Sequence, residues 1–502
     1  MNEKHESQVN KVILSISSRV KKLFDKPLII IAIITLIGMV LRLYHLGFKP
    51  FWYDEAVLYW ISKSGNLNHI IAQNALRNSA PPLFAILLSL FMKIGDSESR
   101  LRLLPFLGGV ASIPAIYFLS RQFFGSVPAY ISSLLIAIAP TQIQYSQQLR
   151  EYSLTFFVAT IILIFFCMQL QHPTKKNLAL MTAAMVIGVF LQYGLALLII
   201  ALNLVFIIAL WSVKAGRKSM LLRWFVSQFI VFCAVIAVYF LSLKQQMQVG
   251  FGASYLSKGY WTGGLKALLN LADSNTSAIF TFAFPGIVFL SLTVLGLILS
   301  LQAKKRYLTF MLFFFPLLLT FIAALAKLYP YLGLRQDMFL TPLMYVFFGF
   351  GLVDLGSFIH QRWIGGISLL VLLLFVILVG FQASRTYLLD QGIGNMRPIV
   401  ETLSKSFERG DKIYVYYFAE PGFTYYYKDN KDSWIYGADH SGNQNGYFQE
   451  IDNIIASNDR VWMVFSLCPG DDCQKIPQHV AKERKIDLVA KSPGDSYLYL
   501  VH

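Results

Sequence analysis

"PLIIIAIITLIGMVLRLYHLGFKPFWYDEAVLYW", residues 27 to 60, begins as an almost unbroken apolar run and ends on a paired acid. Pro27 to Leu46 has the length and composition of a bilayer-spanning helix. It is too long, and too poorly matched to a small-residue cleavage site, for a removable signal peptide, so it reads as a retained anchor. Gly47 to Trp60 then sets two adjacent carboxylates, Asp54 and Glu55, among six aromatic side chains.

Working outward, the apolar theme recurs in "SLTFFVATIILIFFCMQL" (153 to 170), "LALLIIALNLVFIIALW" (195 to 211), "AIFTFAFPGIVFLSLTVLGLILSL" (278 to 301) and "GISLLVLLLFVILVGF" (366 to 381). Of 502 residues, 56% are hydrophobic and 14% charged, with mean hydropathy +0.55. A soluble protein of this length could not keep so much apolar surface from water. The expected fold is therefore a polytopic α-helical membrane protein with roughly eleven to thirteen transmembrane helices.

The formal net charge of +16 does not call for a nucleic-acid partner. Much of the Lys and Arg falls in short turns between spans ("KKLFDK", "HPTKK", "KAGRKS", "AKKR", "HQR"), where the positive-inside bias places it. With those turns cytoplasmic, the connections at 142 to 151, 244 to 276 and 328 to 337 lie outside. The alternation fails by one crossing near the N-terminus, and the short run 83 to 94 is the suspect. After about residue 382 nothing is long and apolar enough to span. "NMRPIVETLSKSFERGDKIYVYYF", "DRVWMVFSL" and "YLYLVH" read there as a Pro-started helix and strands of a small α/β domain. The chain thus divides into a cytoplasmic N-terminus (1–26), a transmembrane module (27–381) with a first external loop (47–82), and a C-terminal extracytoplasmic α/β domain (382–502). Cys468 and Cys473 are close enough to pair in an oxidising compartment.

Chemistry is expected at Asp54 and Glu55. Asp54 can simply cap the helix that follows, with Glu55 favouring its positive end. Yet an acid at a membrane boundary has a solvation cost unless it is wet or paired, which also marks function. Adjacent helical residues point about 100° apart, so these two cannot flank one bond as a glycosidase pair does. One carboxylate would work on substrate while the other does something else, which suits transfer better than hydrolysis. If the leaving group is already a phosphate, a base and cations suffice. Arg150, between Tyr145 and Tyr152, and Arg335 are the candidate cations, each with the alternative of a snorkelling interfacial residue. His45, His69 and His172 are scattered, without metal-type spacing, and no Gly-rich phosphate loop is present. No cofactor is implied, and a divalent-metal requirement stays open.

"LRLYHLGFKPFWYDEA", "APPLFAILLSLF", "RLRLLPFLGGVASIPAIYFLSRQFFG" and "AIAPTQIQYSQQLREYSL" together resemble the C-type (GT-C) membrane glycosyltransferases of glycosyltransferase family 39. That group includes the dolichyl-phosphate-mannose protein mannosyltransferases and the lipid A aminoarabinose transferases. The similarity covers roughly residues 27 to 170 in order and continues weakly to "LRQDMFLTPLMYVFFG", which departs from the family's Arg-Tyr and Pro pattern at Arg335. Ser79 and Ala80 stand where family members often carry a His before the Pro pair. The resemblance implies Asp54 as catalytic base and Glu55 as second acid. Arg150 and Arg335, with Tyr145, Tyr152, Trp52 and Tyr53, are the candidate substrate contacts, and the departure at "DMFLTP" weakens the case for Arg335. The implied donor is a polyprenyl-phosphate sugar and the acceptor a glycan, lipid or protein, used without nucleotide at the outer face of the cytoplasmic (inner) membrane. A transporter or flippase of lipid-linked glycans is the alternative, and a membrane-anchored binding protein a further one.

Overall fold

The computed structural model describes residues 26–502 other than 212–216, 251–255, 285–286, 302–306, 363–373, 375–376, 379, 382–384, 386–391, 441–442 and 469. The basic N-terminus, the Lys304–Arg306 turn and most of the apolar run 366–381 lie outside the described residues. The chain forms two compact units: Met1–Tyr44, Ser79–Phe84 and Leu103–Leu388 in one, and His45–Asn78, Ala85–Arg102 and Leu389–His502 in the other.

The first unit is helical. Among the described residues five helices are long and apolar enough to cross a membrane: Glu98–Phe124, Tyr152–Gln171, Arg217–Val249, Tyr307–Leu325 and Arg335–Leu355. Shorter apolar helices, Pro27–Leu43 and Leu195–Leu210 among them, stand beside these. Small residues let backbones approach closely: a Cβ on Gly351 would stand 2.2 Å from the Leu292 carbonyl oxygen, and one on Gly296 2.1 Å from that of Phe347.

One helix is broken for a legible reason. Ser126–Ile138 and Pro140–Ser146 meet at 56°. Pro140 has no N–H to offer the Ile136 carbonyl, and a carbonyl orphaned in an apolar interior is costly. The fully buried Arg42, at the end of Pro27–Leu43, repairs the break by donating to Ile136 O at 2.8 Å and Ala137 O at 2.9 Å. Its Nε also donates to Ser146 Oγ at 3.1 Å, and Gln147 Nε2 donates to Arg42 O at 3.0 Å. The segment leading to Arg150 is thereby fixed to the first helix.

The second unit carries a five-stranded sheet: β1 (Lys412–Val415), β2 (Trp434–Tyr436), β3 (Val461–Ser466), β4 (Ile486–Ser492) and β5 (Ser496–Val501), in the order β2-β1-β3-β5-β4. β1 runs parallel to β2 and β3, whereas β5 is antiparallel to β3 and β4. All six residues of β3 are buried, as a central strand covered on both faces requires. Trp462 in β3 donates its indole N–H to Asp411 Oδ2 at 2.7 Å. A disulfide joins Cys468 to Cys473.

The same unit contains the helices Tyr53–Lys63 and Leu67–Arg77 and most of Leu83–Phe91. The last has nine residues. At 1.5 Å per residue it is ~14 Å long, under half of a bilayer core. At that length it is too short to cross a bilayer core by itself. The loop's aromatic residues, of a kind that an interfacial belt would also supply, here pack on protein. Phe51 and Tyr59 lie 4.9 and 4.8 Å from the Tyr425 ring, Tyr53 lies 4.8 Å from Phe418, and Trp60 Nε1 donates to Pro421 O at 3.1 Å.

Candidate active site

The paired acids are fixed differently. Trp52, extended, precedes the helix Tyr53–Lys63, and its N–H points to Glu55 Oε2 at 3.4 Å. Glu55 is 1% exposed. Arg102 grips it with a two-pronged fork, Nε to Oε1 at 3.0 Å and Nη2 to Oε2 at 2.8 Å. The same guanidinium donates to Lys49 O at 2.7 Å, Pro50 O at 3.2 Å and Leu46 O at 3.3 Å, and lies 5.1 Å from the Phe51 ring centroid. Glu55 therefore serves as the anchor by which Arg102 holds the loop 46–51. Asp54 is half-buried in the first turn, where the helix's unsatisfied N–H groups favour a negative charge. The neighbouring Tyr53 hydroxyl has its pKa pushed up to about 12, by burial first and then by the Asp54 charge.

A second cluster, also in the second unit, closes the loop. Glu98 accepts from Arg397, from the Tyr426 hydroxyl and, at 3.3 Å, from the Phe51 N–H. Tyr426 also accepts from Phe51 N at 2.8 Å, and Arg397 donates to Phe48 O at 2.8 Å and Gly47 O at 3.2 Å.

In the first unit the candidate cations converge on one ring. Arg150 Cζ is 5.5 Å and Arg335 Cζ 5.8 Å from the Tyr152 ring centroid, and Tyr145 meets that ring edge-on at 5.2 Å. Arg150 is buried and pairs with the adjacent Glu151, Nε to Oε2 at 3.1 Å and Nη2 to Oε1 at 3.3 Å. The turn carrying Arg335 is fixed by Asp337, whose Oδ2 accepts from Gly333 N at 2.8 Å and Leu332 N at 3.0 Å. Sequence reasoning singled out Arg150, Arg335, Tyr145 and Tyr152, and they come together. It missed Glu151, Arg102 and Asp337. Only Glu151 left a local signal, an acid beside Arg150 at a helix start. Among the described residues no three His, Cys, Asp or Glu side chains converge as metal ligands.

A bundle of apolar helices interrupted by an acid-bearing loop, with a small α/β domain after the last span, is the architecture of the C-type membrane glycosyltransferases, and this chain has that fold. Within it, residues 79–242 match the family model described as dolichyl-phosphate-mannose-protein mannosyltransferase. The match includes Arg150 and Tyr152 and leaves Asp54 and Arg335 outside it. Among solved structures, ArnT from Cupriavidus metallidurans bound to undecaprenyl phosphate superposes with TM-score 0.58 at 12% identity, covering 94% of this chain and 97% of that one. The Archaeoglobus fulgidus oligosaccharyltransferase in its apo form gives 0.57 at 14% identity, covering 91% and 71%. The A. fulgidus enzyme AglB, in complex with an inhibitory peptide and a dolichol-phosphate, gives 0.54 at 14% identity, covering 87% and 69%. No curated protein sequence matches the chain.

Proposed function

We propose that the protein is an integral-membrane glycosyltransferase that moves a sugar from a polyprenyl-phosphate donor to a hydroxyl of an extracytoplasmic acceptor, inverting the anomeric centre. The observation that carries this reading is the division between the two adjacent acids. Glu55 is committed to Arg102 and positions the loop, while Asp54 occupies a different face of the same turn. Asp54 takes the proton from the acceptor hydroxyl as its oxygen attacks the anomeric carbon. The bond from that carbon to the phosphate oxygen breaks, and its electron pair leaves with the lipid phosphate. Arg150 and Arg335, ordered around Tyr152, counter the developing phosphate charge. The undecaprenyl phosphate bound to ArnT and the dolichol-phosphate bound to AglB support a lipid-phosphate donor.

Sidedness is supported by counting crossings. With Leu83–Phe91 set aside, alternation from the basic turn at 172–177 puts the Asp54 loop and the Arg150 segment outside. The apolar run 366–381, read from the sequence as one more crossing, leaves the C-terminal domain on the same side in this reading.

Purified full-length protein in detergent, given radiolabelled polyprenyl-phosphate sugars and a membrane-extract acceptor, should transfer label. Asp54→Asn should lower turnover by roughly 10²- to 10⁴-fold with the fold intact. Near-normal turnover in that variant would remove Asp54 as the base. Labelled lipid crossing vesicle membranes, with no transfer from any donor, would favour a conduit.

A further inference from the structure

The second unit holds a cleft of about 560 Å³ that the transfer chemistry does not use. Its volume falls within the ~300–1,000 Å³ typical of small-molecule sites. One side is formed by Trp60 and Ile61 of the helix Tyr53–Lys63 with His69 and Arg77 of Leu67–Arg77. The other comes from the α/β domain, from Glu420 through Lys428 and Lys431 to Trp434 and Tyr436.

Its charge is lopsided. Arg77, Lys428 and Lys431 face one carboxylate, Glu420. Lys63 stands alongside: its Nζ and that of Lys428 each lie 5.2 Å from the Trp60 ring centroid. The acid nearest Lys63, Asp96, is 4.0 Å away and 68% exposed, so it neutralises little. The Lys428 ammonium has its pKa pushed below the usual lysine value, by burial first and then by the charges of Lys63 and Lys431, with Asp96 opposing. These cations lie apart, Lys63 and Arg77 at the ends of two helices and Lys428 and Lys431 on the turn that follows Glu420–Tyr426, which suits charges spread along a ligand better than one phosphate in a fork.

The wall is aromatic and braced. Trp434 packs against Phe423 at 5.2 Å and Tyr427 at 5.9 Å, with its indole N–H donated to Asp429 O at 3.1 Å. Tyr436 beside it is 46% exposed. Fixed rings with polar edges offer an apolar face to the C–H side of a pyranose at little cost in side-chain entropy. Gln73 and Thr424 add neutral hydrogen-bonding groups for hydroxyls.

From this combination of an excess of cations over carboxylates in the lining, a rigid aromatic wall and neutral polar groups we infer that the cleft is a binding subsite for an anionic saccharide. Identifying that saccharide with the acceptor rests on the glycosyltransferase reading, whereas the binding itself does not.

Isothermal titration of full-length protein in detergent at low salt, with tetragalacturonate and with neutral maltotetraose, tests the inference. Tetragalacturonate should bind saturably and at least tenfold more tightly, roughly 1.4 kcal/mol. Its binding should weaken as salt rises. Lys431→Glu, at an exposed position, should lose roughly tenfold in tetragalacturonate affinity and little for the neutral sugar. Trp434→Ala should weaken both, and Trp434→Phe should restore most of the loss, which separates stacking from misfolding. Equal affinity for the two sugars, no response to Lys431→Glu, or no binding of either would overturn the inference. Binding should survive in Asp54→Asn. If it holds while no lipid-linked donor supports transfer, the transferase reading fails and the subsite stands. If transfer depends on Asp54 but binding is absent, only the subsite fails.

Discussion

Arg102→Met tests whether the loop's geometry depends on one buried ion pair. Both side chains are buried, and the guanidinium makes five donor contacts, two to Glu55 and three to the carbonyls of Leu46, Lys49 and Pro50. Removing it leaves the Glu55 carboxylate buried without its counter-charge, which costs about 3–5 kcal/mol in comparable cases. The carbonyls of a loop can recover water, so the carboxylate dominates. Because each 1.4 kcal/mol is tenfold in an equilibrium, local opening of residues 46–62 should rise by roughly 10²-fold to a few 10³-fold. Hydrogen–deuterium exchange of peptides from that segment in detergent-purified protein reads this directly, with peptides from β3 as internal control. The double variant Arg102→Met/Glu55→Leu removes both charges together and should open less than Arg102→Met alone, a coupling of about 2 kcal/mol or more. An exchange change under about threefold in the single variant, or strict additivity in the double, would refute the reasoning.

Arg150→Lys keeps the charge beside Glu151 but loses the fork. Transfer should fall by about 10- to 100-fold with an unchanged melting temperature. Replacing both Cys468 and Cys473 by Ser opens a loop of sequence separation 5. By loop-closure entropy this should lower the α/β domain's stability by ~2 kcal/mol, read as earlier proteolysis within residues 461–480. Gly351→Val places a Cβ where the Leu292 carbonyl oxygen is 2.2 Å away. The helices must separate, so thermal stability should drop by about 1–3 kcal/mol or more, seen as loss of monodisperse protein on heating.

The membrane module was legible because hydropathy is an additive property of contiguous residues, and the runs at 27–46 and 153–170 needed no partner to be recognised. Leu83–Phe91 shows where that additivity stops. A nine-residue apolar helix looks the same whether bilayer or protein covers it, and only packing places most of it, from Ala85 on, in the loop unit. The acids divide along the same line. That Asp54 and Glu55 face different ways followed from helical geometry. That Glu55 is held by Arg102 did not, because Arg102 is 47 residues away and carries no motif. Arg150 and Arg335 were readable as cations near span ends, while their meeting at Tyr152 depended on turns fixed by Asp337 and on the Pro140 break repaired by Arg42. Long-range hydrogen bonding to backbone carbonyls leaves no periodic trace in a sequence.

The Glu98 cluster bears on how the protein is made. Phe51 is bonded to Tyr426, 375 residues later, and Glu98 to Arg397, 299 residues later. During synthesis the acid-bearing loop emerges early, while the side chains that close it are still to be translated. Joining ends so distant carries a large loop-closure entropy that only the completed domain can offset. The contacts of Phe51 and Glu98 are thus among the last of the loop to form, and a polypeptide cut short before Arg397 would keep the Glu55–Arg102 pair but lack Arg397 and Tyr426, the side chains that close the loop.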